Sequence, residues 1–183
     1  MSAFDPTTGP SAVATAAALA RGETTSSELT DFALERLRDG HAVCNSVITF
    51  EDDEARTLAE RADAARRDGN AEGPLAGVPL AHKDMFDRRD KTASWGGNIQ
   101  ADKPADANAT VIERLERAGT FQIAALHLTE FAFGASGHNF VRGHGRNPFN
   151  PDHISGGSSS GSAISVATGA IPAALGSDTA GSL

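Results

Sequence analysis

The chain has 183 residues, enough for one ordinary domain with a sizeable core or for the first part of something larger. Acidic side chains outnumber basic ones, 24 to 16, for a net charge of −8, and no Lys/Arg cluster is long enough to track a phosphate backbone; direct nucleic-acid binding is not expected. The single Cys44 excludes an internal disulfide framework, no apolar run approaches the ~18 residues of a membrane span, and Met1 to Gly22 lacks the features of a signal peptide, so the default expectation is a soluble, reducing, cytoplasmic setting.

In chain order, Met1 to Pro10 is a polar lead expected to be poorly ordered, and Ser11 to Arg21 is an alanine-rich first helix. Residues 1–24 thus read as a disordered or helical lead to a domain over 25–183. Thr25-Ser26-Ser27-Glu28 has the spacing of a capping box, and Leu29, Phe32, Ala33, Leu34 and Leu37 follow at helical spacing, which predicts a helix to about Asp39. Val47 to Phe50 is β-prone, and Asp52 to Asp68, rich in Ala, Glu and Arg, reads as an exposed helix. Cys44 beside that strand reads as an inert core thiol, since nothing marks a partner base.

Gly69 to Ala76 is a loop feeding a strand over Val78 to Lys83. Its apolar approach carries Lys83 inward, and desolvation lowers the pKa of a buried ammonium, as a Lys serving as a neutral base requires. Asp84 must then pair with Lys83 or point elsewhere. Met85 to Gln100, with Trp95 before Gly96-Gly97, reads as an irregular segment able to wall a pocket. Asn108-Ala109-Thr110 opens an amphipathic helix stopped near Gly119, and Phe121 to Leu126 is the next apolar strand. His127 and Glu130 are spaced as a metal pair but lack further ligands, so structural hydrogen bonding is expected. His138, His144 and His153 lie in a long Gly- and Asn-rich loop over Gly134 to Asp152, where any of them could serve a Ser-His pair. Strands near 78, 121 and 171 alternating with helices near 110 and 161 indicate a layered α/β domain.

Between Ser155 and Ser162 every side chain is a hydrogen or a hydroxymethyl group, so the backbone can approach a ligand closely while hydroxyls remain available for proton traffic. A flexible linker has the same composition, but the small and apolar run Ala163 to Leu175 fits a buried helix and strand. Amide hydrolysis needs a nucleophile, a base and oxyanion donors. Ser182 after Thr179-Ala180-Gly181 offers a nucleophile with backbone N–H groups of Thr179, Ala180, Gly181 and Ser182 as an oxyanion hole. The Ser155–Ser162 loop offers hydroxyls to relay a proton, and Lys83 is the candidate base with a buried approach. An anion-binding loop before a helix competes with this reading, although the Lys-Ser/Thr ending of a P-loop is missing.

Gly156-Gly157-Ser158-Ser159-Ser160-Gly161-Ser162-Ala163, Gly176-Ser177-Asp178-Thr179-Ala180-Gly181-Ser182 and Gly77-Val78-Pro79-Leu80-Ala81-His82-Lys83-Asp84 together resemble the amidase signature family over roughly residues 25 to 183. The resemblance implies an α/β/α layered fold with a mixed sheet and hydrolysis of a carboxamide C–N bond. It assigns Ser182 as nucleophile, Ser158 as the middle residue after a cis Gly157–Ser158 peptide, Lys83 as base, and Gly156, Gly157 and Ser159 to the active-site loop. No cofactor or metal is implied. The partners it implies are a small-molecule amide substrate, and a homodimer or amidotransferase subunits; a member of a transamidation complex would use the same residues to release ammonia. Lys91-Thr92-Ala93-Ser94-Trp95-Gly96-Gly97 departs from the Thr-Thr-x-Gly-Ser run of many members, and His127-Leu128-Thr129-Glu130-Phe131 matches the Lys-Thr-Asn-Met-x-Glu-Phe pattern only in part. Because relatives continue well beyond the nucleophile, residues 25–183 read as the N-terminal part of one amidase domain, and residues 1–183 alone are expected to be an inactive fragment.

Overall fold

The computed structural model describes residue 9 and residues 11–99 and 103–183, so the expectation for Met1 to Pro10 falls almost wholly outside the described residues. The chain builds α1 (Ala12–Arg21), α2 (Ser26–Cys44), β1 (Val47–Phe50), α3 (Asp52–Arg67), β2 (Pro79–Lys83), α4 (Thr110–Arg117), β3 (Phe121–Leu126), a single 3-10 turn (Glu130–Ala132), α5 (Ser160–Ala167) and β4 (Ala174–Leu175). The four strands form one mixed sheet in the order β1-β3-β2-β4. β1 runs antiparallel to β3, whereas β2 is parallel to both β3 and β4.

The capping box forms as the sequence predicts: Thr25 accepts from the Glu28 N–H at 3.1 Å, and the Glu28 carboxylate accepts from the Thr25 N–H at 2.9 Å. The helix it opens runs past Asp39 to Cys44. Leu37, Gly40 and Cys44 are all buried and extend the same inner face, with Gly40 lying against Thr168. Asn45, at φ 56°, then ends it in the left-handed conformation. α3 is less exposed than its composition suggests. Ala55, Ala59 and Asp63 form a buried stripe, and Asp63 accepts from the Ser26 N–H at 2.7 Å and the Ser27 N–H at 3.0 Å, satisfying donors at the start of α2.

Two apolar clusters draw on successive residues of β2, as the two-residue period of a strand requires. Ala81 joins the larger one, with Leu34 and Leu37 of α2, Ala55 and Ala59 of α3 and Ile123 of β3. Leu80 joins the smaller, with Leu19 of α1, Val78 and, at its margin, Leu115 of α4. The strand predicted near residue 171 is shorter and later. Ile171 is buried in the core, but Pro172 has no N–H for a ladder, and pairing begins only at Ala174 opposite Ala81. Among the described residues no helix is long and apolar enough to cross a membrane.

The start of α5 is held directly against the end of β3. The Gly161 N–H donates to the His127 carbonyl at 2.8 Å, and the His127 N–H donates to the Ser46 carbonyl at 2.9 Å. A methyl group at Gly161 would lie 2.3 Å from the Ser46 oxygen and 2.4 Å from the His127 nitrogen, both backbone atoms. Gly161→Ala should therefore lower the unfolding free energy by about 1–3 kcal/mol or more through overpacking. A urea denaturation midpoint equal to the wild type would remove this contact from the fold's requirements.

Candidate active site

β2 and β3 end side by side, with Lys83 paired to Leu126 in parallel register, and the loop before α5 returns across their ends. Lys83 is fully buried. Its Nζ donates to Ser158 Oγ at 2.6 Å, Ser177 Oγ at 2.8 Å and Ser159 Oγ at 3.1 Å. Desolvation pushes the ammonium down to about 8, against a smaller upward pull from the Asp178 carboxylate. Asp84 takes no part in this. It accepts from the Ser94 N–H at 3.0 Å and from the Ser94 hydroxyl, and burial raises its pKa.

The Gly/Ser loop is an ordered turn, and the Gly157–Ser158 peptide is cis. A side chain at Gly157 would meet the Gly137 nitrogen at 2.6 Å and Thr129 Oγ1 at 2.8 Å, so only glycine allows the two loops to touch. The Thr129 N–H donates to the Ser158 carbonyl at 3.0 Å, which fixes the turn from the end of β3. Ser158 itself is fully buried.

Ser177 carries no role in the sequence reading, although it lies inside the Gly176–Ser182 motif. The structure places it on Lys83, and it also allows the hydroxyl protons to be assigned. The Ser159 hydroxyl donates to the Ser177 carbonyl at 3.2 Å, and the Ser177 hydroxyl donates to Met85 Sδ at 3.0 Å. Among the described residues Ser158 Oγ has only Lys83 as a polar partner. Of the three hydroxyls around the amine, Ser158 is thus the one whose proton is uncommitted.

Ser182 is half-buried and reaches the loop through its main chain, its carbonyl accepting from the Ser159 N–H at 3.2 Å. Its side chain makes no hydrogen bond among the described residues. Ser182, Ser159, Gly156, Gly157 and Ala135 share the wall of a largely apolar cleft of about 590 Å³. Most of the backbone donors expected at the Thr179–Ser182 turn already face a carboxylate. The Gly181 N–H donates to Asp178 Oδ1 at 2.6 Å, and the N–H groups of Gly181, Ser182, Leu183 and Ala180 together hold the Asp178 carboxyl below the usual range. The turn does gather donors around a negative oxygen, and here that oxygen belongs to Asp178.

His127 is buried, with Nε2 2.8 Å from the Gly143 carbonyl and Nδ1 2.7 Å from Ser160 Oγ. A carbonyl only accepts, so Nε2 carries the proton and Nδ1 accepts from Ser160; burial depresses its pKa and keeps the ring neutral. This is the structural hydrogen bonding predicted for it. His138 and His144 face each other at 4.7 Å, and His153 is exposed; none bonds to Ser158 or Ser182. Trp95 sits in a segment tied to the residue just after β2 by its N–H donating to the Asp84 carbonyl at 3.0 Å, and it walls a separate cleft with Lys91 and Asp106. Cys44 is fully buried and its thiol is pushed up by desolvation. Among the described residues no three His, Cys, Asp or Glu side chains gather as a metal site.

The sequence pattern of the Amidase family matches residues 28–183. The chain belongs to the amidase family. A glutamyl-tRNA(Gln) amidotransferase subunit of Halorhodospira halophila is 43% identical over 167 residues, covering 91% of this chain and 34% of that protein. Fatty acid amide hydrolase superposes with a TM-score of 0.90 at 27% identity, over 100% of this chain and 32% of its own. A structure described as a vestigial protein complex that reveals the origins of an s-triazine catabolic enzyme gives 0.89 at 35% identity, over 94% of this chain and 38% of its own. The chain thus spans about a third of the length of the curated relatives it matches.

Lys83 also makes a prediction about stability in this amidase-family chain. Its folded value of about 8 lies below its ordinary 10.5, so between these limits the unfolded chain binds a proton that the folded chain lacks. The contribution is fully present above pH 10.5 and is lost as pH falls through 8. The unfolding free energy of the wild type should therefore rise with pH across this window relative to Lys83→Met. Urea titrations of both proteins that keep a constant gap would contradict the depressed amine.

Proposed function

We propose that these residues carry the catalytic machinery of an amide hydrolase, with Ser182 as nucleophile, Ser158 as relay and Lys83 as base. The observation that supports this most is the buried Lys83 amine, poised near neutrality and 2.6 Å from the one hydroxyl whose proton is uncommitted. In the proposed cycle, neutral Lys83 takes the Ser158 proton while Ser158 takes that of Ser182, whose Oγ bonds to the amide carbon. The negative charge that develops on the carbonyl oxygen is met by the Thr179–Ser182 amides, once Asp178 releases those of Ala180, Gly181 and Ser182. Collapse breaks the C–N bond, the proton returns through Ser158 to the leaving amine, and water attacks the acyl-Ser182 ester by the same relay to yield the carboxylate. Gly156, Gly157 and Ser159 shape the loop beside the acyl group.

A second reading is favoured by the similarity to a glutamyl-tRNA(Gln) amidotransferase component. In it the same three residues release ammonia from a small carboxamide for a partner enzyme, and the chain works beside amidotransferase subunits in the cytoplasm. The buried, unpaired Cys44 thiol is compatible with such a reducing setting. Glutaminase activity that rises when partner subunits are added distinguishes this reading from a free-standing hydrolase.

The test is turnover of simple carboxamides by the complete polypeptide that carries this sequence. Ser182→Ala should lower kcat by about three orders of magnitude or more with the fold intact. Activity should rise with pH up to about 8, as Lys83 loses its proton, and Lys83→Met should abolish it. A Ser182→Ala protein that keeps a tenth of the rate would end the nucleophile assignment.

A further inference from the structure

Three hydroxyls surround the Lys83 amine, and their geometry suits one protonation state better than the other. An ammonium has three N–H groups, and Ser158, Ser159 and Ser177 provide one acceptor for each. The neutral amine has two N–H groups and a lone pair, so one hydroxyl must reverse and donate to it. Ser159 is held as an acceptor, because its proton lies on the Ser177 carbonyl while its oxygen also accepts from the Ser177 N–H at 3.2 Å. Among the described residues Ser177 is held as an acceptor solely by Met85, whose sulfur takes its proton.

We propose that Ser177 and Met85 form a positioning pair, in which the Met85 sulfur keeps the Ser177 hydroxyl turned away from Lys83 so that the amine lone pair is left to Ser158. This rests on the reading of Lys83 as the base. Met85 enters from the turn after β2, its N–H donating to the Lys83 carbonyl at 2.7 Å, while Ser177 enters from the exit of β4. The pair therefore also joins the ends of two parallel neighbours across the site. With an apolar side chain of Met's size in place of the sulfur, nothing would hold the Ser177 proton. Ser177 would then donate to the neutral amine in competition with Ser158.

The chain has three lysines, Lys83, Lys91 and Lys103, so the side-chain amine of Lys83 can be followed by ¹⁵N NMR in a lysine-labelled sample, with Lys83→Met to assign it. Ser177→Ala removes an acceptor from the ammonium and should lower the Lys83 midpoint by about half a unit or more. Met85→Leu frees the Ser177 proton to stabilise the neutral amine and should lower the midpoint as well. Ser177→Thr, which keeps the hydroxyl, should restore the wild-type value. Added to Ser177→Ala, Met85→Leu should have no further effect, whereas a packing role for Met85 would persist in that background. In the complete polypeptide, Met85→Leu should lower kcat several-fold with KM unchanged and shift the rise of activity with pH to lower values.

Should Ser177→Ala prove unable to fold, Met85→Leu alone decides, since it keeps all three hydroxyls beside Lys83. A wild-type Lys83 that titrates near 10.5 would overturn the base reading itself. A Lys83 that titrates low in the wild type and stays there in both Ser177→Ala and Met85→Leu would overturn the positioning pair while leaving that reading intact.

Discussion

The site depends on one interaction, the enclosure of the Lys83 amine by three hydroxyls at the ends of parallel strands. A buried cation without counter-charge is costly, and the two ways to reduce that cost are to hydrogen-bond it fully or to let it lose its proton. Here both operate. Ser158, Ser159 and Ser177 satisfy the charged form, while burial brings the neutral form within reach near pH 8. Asp84, adjacent in sequence, would have fixed the charge had it paired with Lys83. Strand alternation turns it away instead, to Ser94.

The surrounding fold can be understood as what holds those hydroxyls still. Ser158 is anchored by Thr129 at the exit of β3, Ser159 by Ser182 and Ser177, and α5 is held against β3 by the close approach of Gly161 to His127 and Ser46. His127, between the Gly143 carbonyl and Ser160, closes the same seam from the loop side. Each contact is to backbone or to a short side chain, so little rotamer freedom remains to blur the geometry.

Much of this is legible in the sequence. The capping box, the amphipathic spacing of α2 and α4 and the apolar runs of β2 and β3 each have a local cause, and the structure has each in place. The family resemblance carried by the three motifs implies that Lys83 and Ser158 meet, and in the structure they lie 2.6 Å apart. What sequence does not show depends on contacts far apart along the chain. α2 beyond Asp39 packs Gly40 against Thr168, and Asp63 is buried against the start of α2. Ser177 has no signal of its own within a motif already full of small residues. Its role emerges only when the distances to Lys83 and to Met85, 92 positions earlier in sequence, are both known.

The same logic explains the Thr179–Ser182 turn. Small side chains predict that backbone N–H groups can converge, and they do. What spacing cannot say is which anion they meet, and in this structure the nearest one is the preceding Asp178. That carboxylate acts on both ends of the site at once, taking up the turn's donors and pulling the Lys83 pKa upward against desolvation. An oxyanion that took its place among the turn's amides would loosen its hold on the turn. Because the carboxylate also favours the charged amine, any movement of it away from Lys83 would favour the neutral one.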